Sequence, residues 1–138
     1  MKRQTLAPIV LVLLILASLA CASQVTKEEL QIDEPVVFKS LDEVYYAWKA
    51  FVEPGSEYTF SVRSVEYGEE GYYGFIHILD EGTNYYDYQA EDVIAEGEHF
   101  TPYVSFIAPE DGTITIMITM INWVNTDIEV TLTQTAKN

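Results

Sequence analysis

Thr113-Ile114-Thr115-Ile116-Met117-Ile118-Thr119-Met120-Ile121 decides the fold of this chain. Threonine alternates with isoleucine, the period of two that sends successive side chains to opposite faces of a strand. Met117 and Ile121 add apolar bulk to the second face. A strand apolar on both faces is expected to be covered on both sides. Immediately upstream, Pro109-Glu110-Asp111-Gly112 has the composition of a type I turn. Before that turn, Thr101–Ala108 reads as a strand. Downstream, Asn122–Asp127 is a loop carrying Trp123. Asp127–Thr135 then closes the domain, with Ile128, Val130 and Leu132 inward and Glu129, Thr131 and Thr133 outward.

The same texture extends towards the N-terminus. Tyr58, Phe60 and Val62 alternate with Glu57, Thr59 and Ser61 behind a Pro54-Gly55 turn. Gly68–Gly71 is a loop with two acids, and Gly74–Leu79 is apolar enough for a central strand. Asp80–Asn84 is a turn by composition. Tyr85–Gln89 and Glu91–Ala95 read as short strands, and Glu96-Gly97-Glu98 turns the chain again. The run Glu43–Val52 supports two readings. Ser40-x-x-Glu43 is a capping box that puts Val44, Trp48 and Phe51 on one helical face. Read with period two, Val44, Tyr46, Trp48, Ala50 and Val52 line one side of a strand. The strand is preferred because Pro54-Gly55 then turns directly into the next one. Short strands between turn clusters, with no internal repeat, predict an all-β antiparallel sandwich over residues 36–138.

The N-terminus has a different character. Met1-Lys2-Arg3 is a basic start, an uncharged stretch follows with its apolar heart at Ile9–Leu16, and it ends in Ala17-Ser18-Leu19-Ala20-Cys21-Ala22. This is the pattern of an export signal. It resembles a prokaryotic lipoprotein lipobox: Ala20 is the small residue before the cysteine, while Ser18 stands where a larger aliphatic is usual. The resemblance implies a signal peptide of residues 1–20 and lipid on Cys21, the chain's one cysteine. Two alternatives stand beside it. Ala20-Cys21-Ala22 can serve as a small-x-small site cut before Ser23, giving a secreted protein. The segment can also stay as an N-terminal anchor, since Leu6–Ala22 has about the minimum length for a span of roughly 17–25 residues. A single cysteine forms no intramolecular disulfide, so lipidation gives that thiol a purpose. Residues 21–35, polar and acidic, are expected to form a tether. The expected location is the outer face of a cell membrane, held by lipid or by the uncleaved helix.

The chain carries 22 acidic and 7 basic residues, a net charge of −15. Loss of Lys2 and Arg3 with the signal leaves Lys27, Lys39, Lys49, Arg63 and Lys137, and a net charge of −17. Such a field repels nucleic acid and anionic lipid headgroups, so nucleic-acid binding is excluded. Solubility is the plain reading of the charge. Counter-cations or a cationic partner are the functional one.

The stretch from Val104-Ser105-Phe106-Ile107-Ala108-Pro109-Glu110-Asp111-Gly112 through Thr113-Ile114 resembles the aromatic-x-Ala-Pro-x-x-Gly-x-aliphatic segment of GOLD-like and pre-peptidase C-terminal domains. Phe51-Val52-Glu53-Pro54-Gly55-Ser56-Glu57-Tyr58-Thr59-Phe60 is similar to the strand–turn–strand that opens them, and Asp127–Thr133 looks like their last strand. The resemblance implies a single jelly-roll-like β-sandwich and a non-catalytic module binding proteins, glycans or cargo. It offers no catalytic residues.

Ten tyrosines are present, and most of them cluster. Neighbours in a strand face opposite ways, so several rings reach the surface. Tyrosine offers a flat apolar face and a hydroxyl at low entropic cost. Tyr72, Tyr73, Tyr85, Tyr86, Tyr88 and Trp123 are therefore the candidate binding residues, against the plainer reading of ordinary β-propensity. Asp80, Glu81, Asn84 and Asp87 supply hard oxygens suited to Ca²⁺, although their spacing matches no EF-hand loop. A solvated acidic rim is the preferred reading of these residues, and no other cofactor is implied. His77 and His99 lack the spacing of a transition-metal site. No Gly-x-Ser-x-Gly and no phosphate loop occurs, so an enzyme is not expected. The expectation is a membrane-tethered accessory module that binds an envelope protein, with a carbohydrate-binding module as the alternative.

Overall fold

The computed structural model describes residues 26–27, 29–40, 45–68, 74–84, 87–98, 101–120 and 126–136. Nine strands are described: β1 Thr26–Lys27, β2 Val36–Lys39, β3 Tyr45–Phe51, β4 Glu57–Ser64, β5 Gly74–Asp80, β6 Val93–Glu96, β7 Tyr103–Ile107, β8 Thr113–Met120 and β9 Asp127–Ala136. They form a sandwich of two sheets. One has the order β1-β3-β8-β5-β6 and the other β2-β9-β4-β7. All the long ladders are antiparallel; only the short β1 runs parallel, beside β3. Among these neighbours only β5 and β6 are consecutive in the chain, so most pairing is made across the jelly-roll-like crossovers.

Alternation explains which faces meet. Tyr46, Trp48 and Ala50 on β3, Ile114, Ile116 and Ile118 on β8, and Ile76 and Ile78 on β5 point inward. They meet Tyr58, Phe60 and Val62 on β4, Ile128, Val130 and Leu132 on β9, and Val104 and Phe106 on β7. Each large side chain so buried contributes about 1.5–3 kcal/mol. Rings set the spacing between the sheets: Phe38 lies 4.9 Å from Tyr46 and 5.4 Å from Trp48, and Tyr58 stacks on Phe106 at 5.9 Å. The buried Tyr58 hydroxyl accepts the N–H of Glu53 at 2.8 Å. That bond satisfies its polar end and ties the turn before β4 to the core.

The two Pro–Gly turns fall where composition placed them. Ser56 donates to the Glu53 carbonyl at 3.1 Å across Gly55, whose φ is 77°. Gly112 donates to the Pro109 carbonyl at 3.1 Å with φ 70°. Its carbonyl also accepts Val52 N–H at 2.9 Å, and a Cβ there would sit 3.0 Å from the Val52 oxygen. Backbone hand and close approach both require glycine at this position.

Three expectations are corrected. The chain is docked on the sandwich well before Pro35, where the tether was expected to end. Leu30 is buried and donates to the Lys49 carbonyl at 2.8 Å, and Asp33 donates to that of Leu132 at 2.8 Å. Leu30 seats it together with Ile32, which packs on the core and bridges to Leu132. The described part of Tyr85–Gln89 is not a strand; residues 87–89 are irregular and lead into a 3-10 turn at Ala90–Asp92. The strand expected at Glu91–Ala95 begins only at Val93, because Gln89 and Asp92 form a capping box, with Gln89 N–H on the Asp92 carboxylate at 2.7 Å. Glu43–Val52 resolves as a strand from Tyr45, not a helix, because Tyr46, Trp48 and Ala50 are all needed by the core.

Candidate functional site

The outward face of the five-stranded sheet collects the side chains that can meet a ligand. Register sets them in rows. Tyr45, Thr119 and Phe75 lie side by side across β3, β8 and β5. The next row is Ala47, Met117, His77 and Glu96, and the third is Lys49, Thr115, Leu79 and Val93. Ala47, Leu79 and Met117 are buried although they point away from the main core. The connection between β5 and β6 brings the chain back over them, and Tyr88 and Val93 pack on the cluster. The second apolar face of β8 is thus covered, as its sequence predicts.

His77 stands at the margin of this cover. Its Nε2 is 3.1 Å from the Tyr88 hydroxyl and 3.7 Å from a Glu96 carboxylate oxygen. Its ring centroid lies 5.3 Å from that of Tyr88 and 6.3 Å from that of Phe75. Nδ1 is buried without a hydrogen-bond partner. Protonation would place a charged N–H there with no acceptor, so burial lowers the imidazole pKa, against the opposing pull of Glu96. Tyr88 is pushed upward by burial, then by the charge of Glu96 and by Tyr45. Neutral His77 and neutral Tyr88 are therefore the forms this contact favours.

Tyr45 and Phe75 flank the covered part and remain 40% and 38% exposed. Phe51, at the far end of β3, is 51% exposed, and the Lys49 ammonium sits 5.1 Å from its ring centroid. Lys49 also pairs with Glu81 at 2.5 Å. The face is therefore aromatic at its surface, closed at its floor and edged by the carboxylate of Glu96, whose side chain is 69% exposed.

The sandwich is similar to the crystal structure of the pre-peptidase C-terminal domain of collagenase from Bacillus anthracis. The TM-score is 0.55 at 10% identity, over 77% of this chain and 94% of that one. The chain has the fold of a pre-peptidase C-terminal domain. At this identity the likeness is one of fold. Two further structures match with TM-scores of 0.49 and 0.46, both at 8% identity. They are a periplasmic lysozyme inhibitor of g-type lysozyme from Aeromonas hydrophila and CorA, a surface-associated copper-binding protein of Methylomicrobium album BG8. They cover 77% and 78% of this chain, and 97% and 100% of their own. No protein-family model and no curated protein sequence matches the chain.

On this pre-peptidase C-terminal-like sandwich, Tyr88 is the one sequence-selected binding residue that the structure describes, and it is half-buried on the outer face. Tyr72, Tyr73, Tyr85, Tyr86 and Trp123 lie outside the described residues, as do Cys21 and His99. Asp80, Glu81, Asn84 and Asp87 lie at the end of β5 and in the connection that follows it. Glu81 is taken by Lys49, and among the described residues no three acidic, histidine or cysteine side chains converge. Sequence reasoning passed over Phe75 and Glu96 and left Tyr45 out of the patch. The alternation of Phe75 against Ile76 and Ile78 points it outward, but only strand pairing brings it level with Tyr45.

Proposed function

We propose that this chain is an extracytoplasmic, membrane-tethered, non-catalytic module that holds an envelope macromolecule against the outer face of its five-stranded sheet. The observation that carries the reading is the grouping of Tyr45, Phe75 and Tyr88 around His77, above a floor closed by Ala47, Leu79 and Met117. Broad, partly exposed rings on a rigid sheet supply contact area at little entropic cost. His77 serves as a wall of this face rather than as a base, because Nε2 is engaged by Tyr88 and Nδ1 is sealed. The N-terminal pattern ending at Cys21 supports export and lipid tethering, and the −15 charge supports a soluble domain outside the membrane. The same rings offer stacking planes for a sugar, which keeps the carbohydrate-binding module as a second reading.

Two comparisons test the proposal. Cys21→Ser should release the protein from membranes, and a mature N-terminus at Ser23 would refute the lipid tether. The Tyr45→Ala/Phe75→Ala double variant should lose a partner captured from solubilised envelope by wild type. An Ile107→Ala variant on the opposite sheet, where Ile107 is 56% exposed, should keep it. Equal capture by all three proteins would refute this face as the binding surface.

A further inference from the structure

We propose that the chain pairs with a second copy of itself along β7, joining two four-stranded sheets edge to edge. The pairing is antiparallel and centred on Ser105. It lies on the other sheet from the aromatic face and goes beyond the binding reading above.

β7 ends one side of the four-stranded sheet, and among the described residues it makes a ladder with β4 alone. Ala108 N–H donates to the Ser56 carbonyl at 2.9 Å, and the Pro102 carbonyl accepts Val62 N–H at 2.8 Å. Successive residues of an antiparallel strand send their backbone groups to opposite sides. Pro102, Val104, Phe106 and Ala108 therefore face β4, while Tyr103, Ser105 and Ile107 hold their N–H and C=O groups towards the open edge. This open run is closed at both ends. Thr101 N–H is already given to the Glu98 carbonyl at 3.0 Å, and Pro109 has no N–H to give. Gly97, in the turn after β6, approaches the Tyr103 carbonyl but has no side chain to cap it; a Cβ there would stand 3.6 Å from that oxygen. The run that remains is symmetric about Ser105. A second copy running antiparallel sets Ser105 against Ser105 and Tyr103 against Ile107, so each copy's donors meet the other's acceptors. Tyr103 and Ile107 are 54% and 56% exposed, and the aromatic–aliphatic pairs so formed cover apolar surface that a lone copy leaves in water. Charge selects the occupant. The other three edge strands each carry a charged residue of the kind that discourages pairing: Lys27 on β1, Lys39 on β2 and Glu96 on β6. Thr101–Pro109 carries none, in a chain of net charge −15. A charged partner segment gains no ion pair from this strand. A neutral strand with the same spacing of donors and apolar side chains fits it, and β7 of a second copy is such a strand.

The test uses the full-length chain in its native membrane under mild oxidation, with the joined peptides identified by mass spectrometry. Hydrogen-bonded antiparallel partners stand about 5.5 Å apart at Cα, within disulfide range. Ser105→Cys should therefore join two copies through position 105. Co-expressed Tyr103→Cys and Ile107→Cys chains should join to each other. Tyr103→Cys alone should not, because its two copies stand four residues, about 13 Å, out of register. Thr133→Cys, two strands in from the edge, should not join either. Added salt should raise the Ser105→Cys yield, since it screens the repulsion between two acidic bodies and weakens no ion pair at the contact. Ser105→Lys in both members of the Tyr103→Cys and Ile107→Cys mixture should cut its yield roughly fivefold by setting like charges opposite each other. Absence of the link at position 105, or a link from that position to a different protein in its place, would overturn the inference. So would equal yields from Tyr103→Cys alone and from the mixture, joining of Thr133→Cys as readily as Ser105→Cys, a yield that falls with salt, or indifference to Ser105→Lys. The Tyr45→Ala/Phe75→Ala double variant should keep the link at position 105, so failure of this inference and failure of the aromatic face are read separately.

Discussion

Met117→Ala probes the cover over the outside of the five-stranded sheet, which the second apolar face of β8 calls for. Met117 points away from the main core, yet it is only 1% exposed. It lies between Ala47 and His77 in its row, next to Leu79, and Tyr88 and Val93 pack on this cluster. Truncating a buried methionine costs about 2–5 kcal/mol through lost burial and the cavity left behind. The cover here is an irregular connection that can settle inward, so the low end applies, about 2–3 kcal/mol. For a domain of this size that lowers Tm by roughly 8–12 °C. The assay is urea unfolding of wild type, Met117→Ala and Ile116→Ala under one set of conditions. Ile116, on the opposite face of the same strand, supplies the main-core reference. A Met117→Ala loss within about 0.5 kcal/mol of zero would be the behaviour of an open surface, and would refute the cover.

Other consequences follow from single contacts. Gly112→Ala should cost about 2 kcal/mol, from the left-handed backbone at φ 70° and the Val52 carbonyl 3.0 Å from the new Cβ. Gly82→Ala, with φ 74° and nothing within 4 Å, should cost about 1 kcal/mol; equal costs in denaturation would remove the close approach as a cause. Tyr58→Phe should lose about 1 kcal/mol by leaving Glu53 N–H without its acceptor, and an unchanged midpoint would contradict that role. Folded His77 binds its proton less readily than the unfolded residue at 6.5, so unfolding takes up a proton and acid favours the unfolded chain. The contribution is complete above the unfolded pKa and is lost as pH falls below it towards the lowered folded value. Wild type should therefore lose more stability than His77→Gln between about pH 7.5 and about pH 5.5, and the opposite sign would contradict the burial of Nδ1.

Legibility in the sequence followed the range of the interactions. Alternation in Thr113–Met120, Glu57–Ser64 and Asp127–Ala136 is a local signal, and those strands stand where it put them. The Pro54-Gly55 and Pro109–Gly112 turns are local too. Leu30 was passed over because Leu30 and Ile32 make too short an alternation in an acidic run to mark a strand; its place depends on Lys49, in another strand. The face built from Tyr45, Phe75, His77 and Glu96 depends on pairing β3 with β8, β8 with β5 and β5 with β6. Two of those three ladders join strands distant in the chain, and no local pattern reveals them. Tyr88 was selected for its setting in a tyrosine cluster. Its actual role, lying on Leu79 and Met117 and meeting His77, follows from a chain reversal that local alternation could not give.

The central claim is that partners meet the outer face of the five-stranded sheet. The most direct test places a photo-reactive phenylalanine analogue at position 75, or at position 107 on the other sheet, in the full-length chain in its native membrane. Irradiation is followed by identification of the attached species. The account predicts one recurrent adduct at position 75 that is absent at position 107 and is lost with Tyr45→Ala. The same adduct at both positions, or one only at position 107, would contradict it.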